Sequence, residues 1–356
     1  MKKLFSPLLF VFTLAFNSLS LANEGVVQNS TEGRNLYLKT IEKSKNAFVG
    51  TFKIYDNMYN DPEILESLSK SQNPHVLLES RLSKEESRNQ KYIGMEKSLQ
   101  KIIDTGAVVF SNLTLFKNSH IKCLYLPEKE LWIGTTNFDV PTDHEGKTIL
   151  NEGEVRRDFC LILDDEKLMK EFDIILHKVI ENETISWPTH SIQEDLKTTL
   201  LSWGPTQHKK DIIDLINGAQ KSIKIYQQDL QDSDIKDALL KALDKNVQIQ
   251  ILMSKHPFGE NKENKSLKNL NELKEKGANV ILTGERFKDG HYVHIHAKVL
   301  MIDDTRMYLG SANFYGPTLD PHANELNVGV ITQEKKYINP VLKQFDQDWK
   351  DHAHML

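Results

Sequence analysis

HIKCLYLPEKELWIGTTN, residues 120–137, and HAKVLMIDDTRMYLGSAN, residues 296–313, share one pattern: lysine two residues after histidine, glycine fourteen after it and asparagine seventeen after it. A single H-x-K carries little weight, because a chain with 13 histidines and abundant lysine yields about one match by composition alone. Repeated with glycine and asparagine in register, it marks a duplication.

The flanking sequence extends that repeat. RNLYLKTIEKSKNAFVGTFKIY from residue 34 and KKDIIDLINGAQKSIKIY from residue 209 both read as a helix followed by a strand, ending in Lys53-Ile54-Tyr55 and Lys224-Ile225-Tyr226. Helices over 61–69 and 232–243 follow, then apolar strands in HVLLESRL from His75 and VQIQILM from Val247. Gly106 and Gly277 each stop a helix before a further strand. Beyond the H-x-K stretches, RRDFCLIL with Asp158 parallels NELNVGVI with Glu325, and Phe172 parallels Phe345. Helices alternating with strands, twice over, predict an α/β fold of two repeated units on a pseudo-twofold axis, each a mixed sheet flanked by helices. The expected division is a first unit over 23–190 and a second over 191–356, parting around Trp187-Pro188.

Residues 1–22 stand outside both units. Lys2 and Lys3 precede an apolar run from Leu4 to Leu21, and Ser20-Leu21-Ala22 places small residues where a signal peptidase reads. The expectation is a signal peptide cleaved after Ala22 and an exported protein, in a bacterial periplasm or secreted. No later stretch is apolar and long enough to span a bilayer. Removing two lysines and no acids takes the formal charge from −5 to −7. That balance opposes bulk attraction to nucleic acid or anionic membranes while leaving room for a local basic cleft.

In a strand, alternate residues share a face, so His120 points with Lys122 and His296 with Lys298. A turn returns the chain to lay Thr135 and Asn137, or Ser311 and Asn313, beside them. Two such sets facing each other suit an anionic tetrahedral centre. The lysines and asparagines hold non-bridging phosphate oxygens; one histidine attacks phosphorus while the other protonates the leaving oxygen. A carboxylate behind a histidine, Asp158 or Glu325, fixes its tautomer and stabilises its charged form.

His296-x-Lys298-x4-Asp303 followed by Gly310-Ser311-x-Asn313 resembles the HKD motif of the phospholipase D superfamily, and the duplication covers nearly the whole chain after residue 22. The resemblance implies a phosphodiesterase working through a phosphohistidine, with no cofactor and no metal, in a single chain that is its own internal pseudo-dimer. Carried over by residue, it implies catalytic roles for His120, Lys122, His296 and Lys298, with Asp303 as a supporting carboxylate. Phosphate-binding or supporting roles fall to Asn137, Thr135, Ser311, Asn313, Glu325 and Asp158. Similarity to two-motif members favours His120 as nucleophile and His296 as acid and base. The first copy departs from the motif: Pro127 stands in place of the aspartate and Thr135 in place of serine.

The motif reports a phosphodiester, not what is esterified to it. Export and the acidic chain favour phospholipid headgroup esters. So does the insertion between Asn137 and Asp158, with Asp139, Asp143, Glu145, Glu152 and Glu154, which repels a polyanion. Nucleic acid is the second expectation, phosphatidyl transfer to an alcohol the third, and a non-catalytic phosphate-binding module the fourth. His291, His294 and His296 also invite a metal reading, opposed by the lysine among them and by the lack of a matching first-copy cluster. The expected strands turn Cys123 away from the site and Cys160 towards it, which opposes a disulfide.

Overall fold

The computed structural model describes residues 25–51, 62–78, 100–110, 115–127, 129–137, 156–190, 192, 199–258, 263–284 and 293–352. Residues 1–22, expected to be a signal peptide, Lys53 to Tyr55, the five acids of the insertion and His291 lie outside them.

Two mixed sheets are built in the same order. The first runs Val26–Gln28, Phe159–Leu163, Glu130–Gly134, Cys123–Leu126, Phe48–Gly50, His75–Leu77, Val108–Phe110; the second runs Leu200–Gly204, Glu325–Thr332, Arg306–Gly310, Val299–Ile302, Ser222–Gln227, Gln248–Ser254, Asn279–Thr283. In each, neighbours among the first five strands pair antiparallel and the last two junctions are parallel. The duplicated α/β architecture expected from the sequence is the one observed.

Strands such as VLMI at Val299–Ile302 are apolar throughout because both faces are covered. Val299 and Met301 point into a core shared by the two sheets, together with the helices Glu166–Ile180 and Lys335–His352. Leu300 and Ile302 point the other way, onto the helices His208–Asn217, Ser233–Asp244 and Leu267–Glu275. The first sheet packs its outer face on Thr31–Glu42 and Pro62–Lys70 in the same manner. Each buried aliphatic side chain contributes roughly 1.5–3 kcal/mol, so the shared core holds the two sheets in fixed register.

The local signals read from sequence are visible. Asp232 caps the helix Ser233–Asp244 by accepting from the backbone N–H groups of Asp234 and Ile235. Gly106 and Gly277 take φ of +87° and +106° after their helices, a region open to glycine. Trp132 is buried in the outer core of the first sheet. Both cysteines are free and buried, and they belong to core clusters on opposite faces of the first sheet. Burial pushes the Cys123 thiol up to about 12.

One internal alignment is corrected. Gly50 pairs with Cys123, and Tyr226 pairs with Val299, the residue three past its own histidine as Cys123 is. Gly50 is therefore the counterpart of Tyr226, and matching the two Lys-Ile-Tyr tripeptides puts the first strand five residues out. The tripeptide recurs by composition, whereas the register is set by the histidine strand beside it.

Candidate active site

The two halves exchange their active strands. Asn118–Ser119, leading into His120, pairs parallel with Glu325–Leu326 of the second half, and His294–Ile295, leading into His296, pairs parallel with Arg156–Arg157 of the first. Backbone bonds continue the swap: His120 N–H donates to the Leu326 carbonyl at 2.8 Å and His296 N–H to the Arg157 carbonyl at 3.1 Å. Each histidine is thus held by the opposite half.

The side chains follow. His296 Nδ1 donates to Asp158 Oδ1 at 2.8 Å, and Thr135 Oγ donates to that same oxygen at 2.6 Å. Arg156 Nε lies 2.9 Å from Asp158 Oδ2. His120 Nδ1 lies 3.3 Å from Asn327 Oδ1, which accepts from Ser311 Oγ at 2.8 Å. Asn327 Nδ2 donates to Glu325 Oε1 at 3.0 Å, and that carboxylate oxygen is 4.0 Å from His120 Nδ1. Thr135 and Ser311 therefore orient the groups behind the histidines.

Both lysines are buried, Lys298 completely. Each Nζ bonds the carbonyl of its own histidine: Lys122 to His120 at 3.0 Å and Lys298 to His296, with Gln228 Oε1 a further acceptor for Lys298 at 3.2 Å. Burial first, then Lys122, Lys298 and His296, push His120 well below the ordinary imidazole value. Burial, Arg156, Lys298, Lys122 and His294 push His296 down in the same way. Each histidine feels both lysines, so the two motifs form one electropositive cluster. Asn137 and Asn313, at equivalent positions, each keep a buried carboxamide oxygen with no hydrogen-bond partner.

Asp303 is not in this cluster. It sits in the turn at the far end of the strand Val299–Ile302, and its carboxylate accepts from the backbone N–H groups of Gln220, Lys221 and Ser222 at 2.9, 2.7 and 2.8 Å. Its carboxylate braces the start of the strand Ser222–Gln227. Pro127, its first-half counterpart, lies in the equivalent turn. His294 lies 3.4 Å from Ser254 Oγ through Nδ1 and stacks on His296 at 6.4 Å. Among the described residues no three His, Cys, Asp or Glu side chains gather as a metal site.

The carboxylate correspondence is also revised. Gly134 pairs with Cys160 and Gly310 with Gly329, and the two glycines are equivalent, so Asp158 corresponds to Asn327 and Arg156 to Glu325. By the same register the insertion after Asn137 is seven residues longer than its counterpart. Sequence reasoning matched the acids to each other and so overlooked Asn327 and Arg156. Aligning on the glycine of each hairpin finds them. Gln228, also overlooked, has its counterpart outside the described residues, and only contact with Lys298 reveals it.

Comparison with known proteins agrees with this geometry. Residues 212–349 match the family model described as cardiolipin synthase, PLD-like domain. No curated protein sequence matches the chain. Phosphatidylserine synthase from Haemophilus influenzae Rd KW20 is similar in structure, with a TM-score of 0.62 at 12% identity over 92% of this chain and 87% of that one. Polyphosphate kinase from Porphyromonas gingivalis gives 0.60 at 10% identity over 91% of this chain, which spans 47% of the length of that enzyme. Nuc from Salmonella typhimurium, a phospholipase D family member, is 20% identical over 43% of this chain and 94% of its own, with a TM-score of 0.36. Residues 212–349 thus carry a PLD-like domain, and the fold of the chain as a whole resembles that of phosphatidylserine synthase.

Proposed function

We propose that this protein is a phosphodiesterase of phospholipase D type, hydrolysing phospholipid headgroup esters through a phosphohistidine and without a metal. The observation that carries the reading is the single buried cluster of His120, Lys122, His296 and Lys298, in which each imidazole is held through Nδ1. A phosphodiester entering it brings its negative charge to the two buried lysines. One imidazole displaces the headgroup oxygen from phosphorus as the other delivers a proton to it. That second imidazole then takes a proton from water, whose oxygen displaces the first from phosphorus. Units over 23–190 and 191–356 each supply half of the machinery.

A phospholipid is favoured over nucleic acid by the acidic chain, and one surface feature fits it. Phe258 is 43% exposed in the segment after the strand Gln248–Ser254. That segment adjoins the site, because Gln228, the acceptor for Lys298, also donates through Nε2 to the Pro257 carbonyl at 3.3 Å. An exposed aromatic ring beside a phosphate site suits an acyl-chain surface. Export, through a leader cleaved after Ala22, belongs to the same proposal.

The test is a paired assay in EDTA. Phosphatidylcholine and phosphatidylethanolamine vesicles are scored for released headgroup, and single- and double-stranded DNA for cleavage, with His120→Ala and His296→Ala beside the parent. Headgroup release lost in both variants is expected. DNA cleavage alone overturns the lipid assignment, and inactivity on all of them overturns the phosphodiesterase reading.

A further inference from the structure

The two histidine environments are built on one plan with one pair inverted. Behind His296 stand Thr135, Asp158 and Arg156; behind His120, in the same register, stand Ser311, Asn327 and Glu325. The hydroxyl is kept. The inner group changes from carboxylate to carboxamide, and the outer group from cation to anion.

We infer that Asn327 and Arg156 are the positioning residues that make the two histidines non-interchangeable: Asn327 holds His120 as an Nδ1–H imidazole, and Arg156 fixes the Asp158 carboxylate against His296. Because Asn327 Nδ2 is engaged by Glu325, its Oδ1 must face His120 and Ser311. A carboxamide oxygen only accepts, so His120 carries its proton on Nδ1 and presents a lone pair at Nε2. A carboxamide also does not titrate, so this orientation persists into acid. Asp158, ion-paired with Arg156 through one oxygen and accepting from Thr135 on the other, is held to support a proton on His296 once substrate offsets the lysines. The charged groups facing His120 are Lys122, Lys298, His296 and Glu325; those facing His296 are Asp158, Arg156, Lys298, Lys122 and His294.

The mechanistic consequence rests on the phosphodiesterase reading, but the tautomer does not, and the test separates them. Side-chain nitrogen NMR of the histidines in the full chain, assigned with His120→Gln and His296→Gln, reads both tautomers without turnover. The expected result is a neutral Nδ1–H His120 from about pH 5 to pH 8, with His296 the first of the two to take a proton. Asn327→Asp gives both histidines a carboxylate; it should let His120 protonate at the acid end. The ratio of kcat/KM at pH 5 to that at pH 7.5 for bis(p-nitrophenyl) phosphate should then fall by about tenfold or more. Arg156→Gln, at a partly exposed side chain, should alter the His296 titration and leave that of His120 in place, which keeps the test open if Asn327→Asp does not fold. An Nε2–H His120, or a His120 titration unmoved by Asn327→Asp, overturns the inference. An Nδ1–H His120 in a chain that cleaves no phosphodiester leaves this inference standing and removes the proposed function instead.

Discussion

Arg157 and Asp348 form a two-pronged ion pair, Nε to Oδ2 at 2.7 Å and Nη2 to Oδ1 at 2.8 Å, between the strand that feeds Asp158 and the last helix of the chain. Tyr226 and Gln344 bond the same carboxylate, and the Arg157 carbonyl receives the backbone N–H groups of His296 and Ala297. The clamp therefore joins the shared core to the strand swap that positions His296.

Asp348→Ala leaves a buried guanidinium without its anion and should cost about 3–5 kcal/mol in urea unfolding. Asp348→Asn keeps part of the hydrogen bonding and should lie between the two. A loss below about 1 kcal/mol for the alanine variant would show that the clamp is not what holds the halves together.

Lys298 is fully buried, so its charge is expressed in a medium where it counts most. Lys298→Met should lower kcat by roughly 100-fold to 1,000-fold with the fold intact. Gln228→Ala, which removes one acceptor from the same ammonium, should have a smaller effect of about tenfold, read from initial rates on a soluble phosphodiester.

Asp303 offers the opposite pattern. Asp303→Ala strips three backbone donors of their acceptor and should lower stability by about 1–3 kcal/mol. Its kcat should stay within about threefold of the parent, as should that of Pro127→Asp. A drop of 100-fold for Asp303→Ala would return that carboxylate to the catalytic set.

His208 makes stability pH-dependent away from the site. It is fully buried between Ser202 and Tyr308, and burial lowers it to about 4, Asp211 opposing. The unfolded chain binds a proton near pH 6.5 that the folded chain refuses until about pH 4. Stability should therefore fall as pH drops from about 6.5 to about 4, by up to roughly 3 kcal/mol, and level off below. Urea midpoints of the parent and His208→Gln across that range should diverge on the alkaline side and converge in acid.

Much of this was legible in the sequence because the duplication carries its own register. The spacing from histidine to lysine, glycine and asparagine fixes a strand, a turn and a returning strand in each half, and so placed His120, Lys122, His296 and Lys298 together. The acids behind the histidines were harder, since Asp158 and Glu325 look like counterparts by type while the hairpin glycines show that they are two residues out of step. Asp303 misled for a related reason. It lies seven residues past its histidine, at the other end of the strand, where spacing alone does not tell a turn brace from a site residue. Gln228 reaches Lys298 from a neighbouring strand, a contact with no periodicity to announce it.

The most direct measurement is the stereochemical course at phosphorus, using a phosphodiester made chiral by sulfur and isotopic oxygen. Attack by a histidine and then by water inverts phosphorus twice, so overall retention is predicted. Inversion would mean that water attacks in a single step and that neither His120 nor His296 ever carries the phosphoryl group.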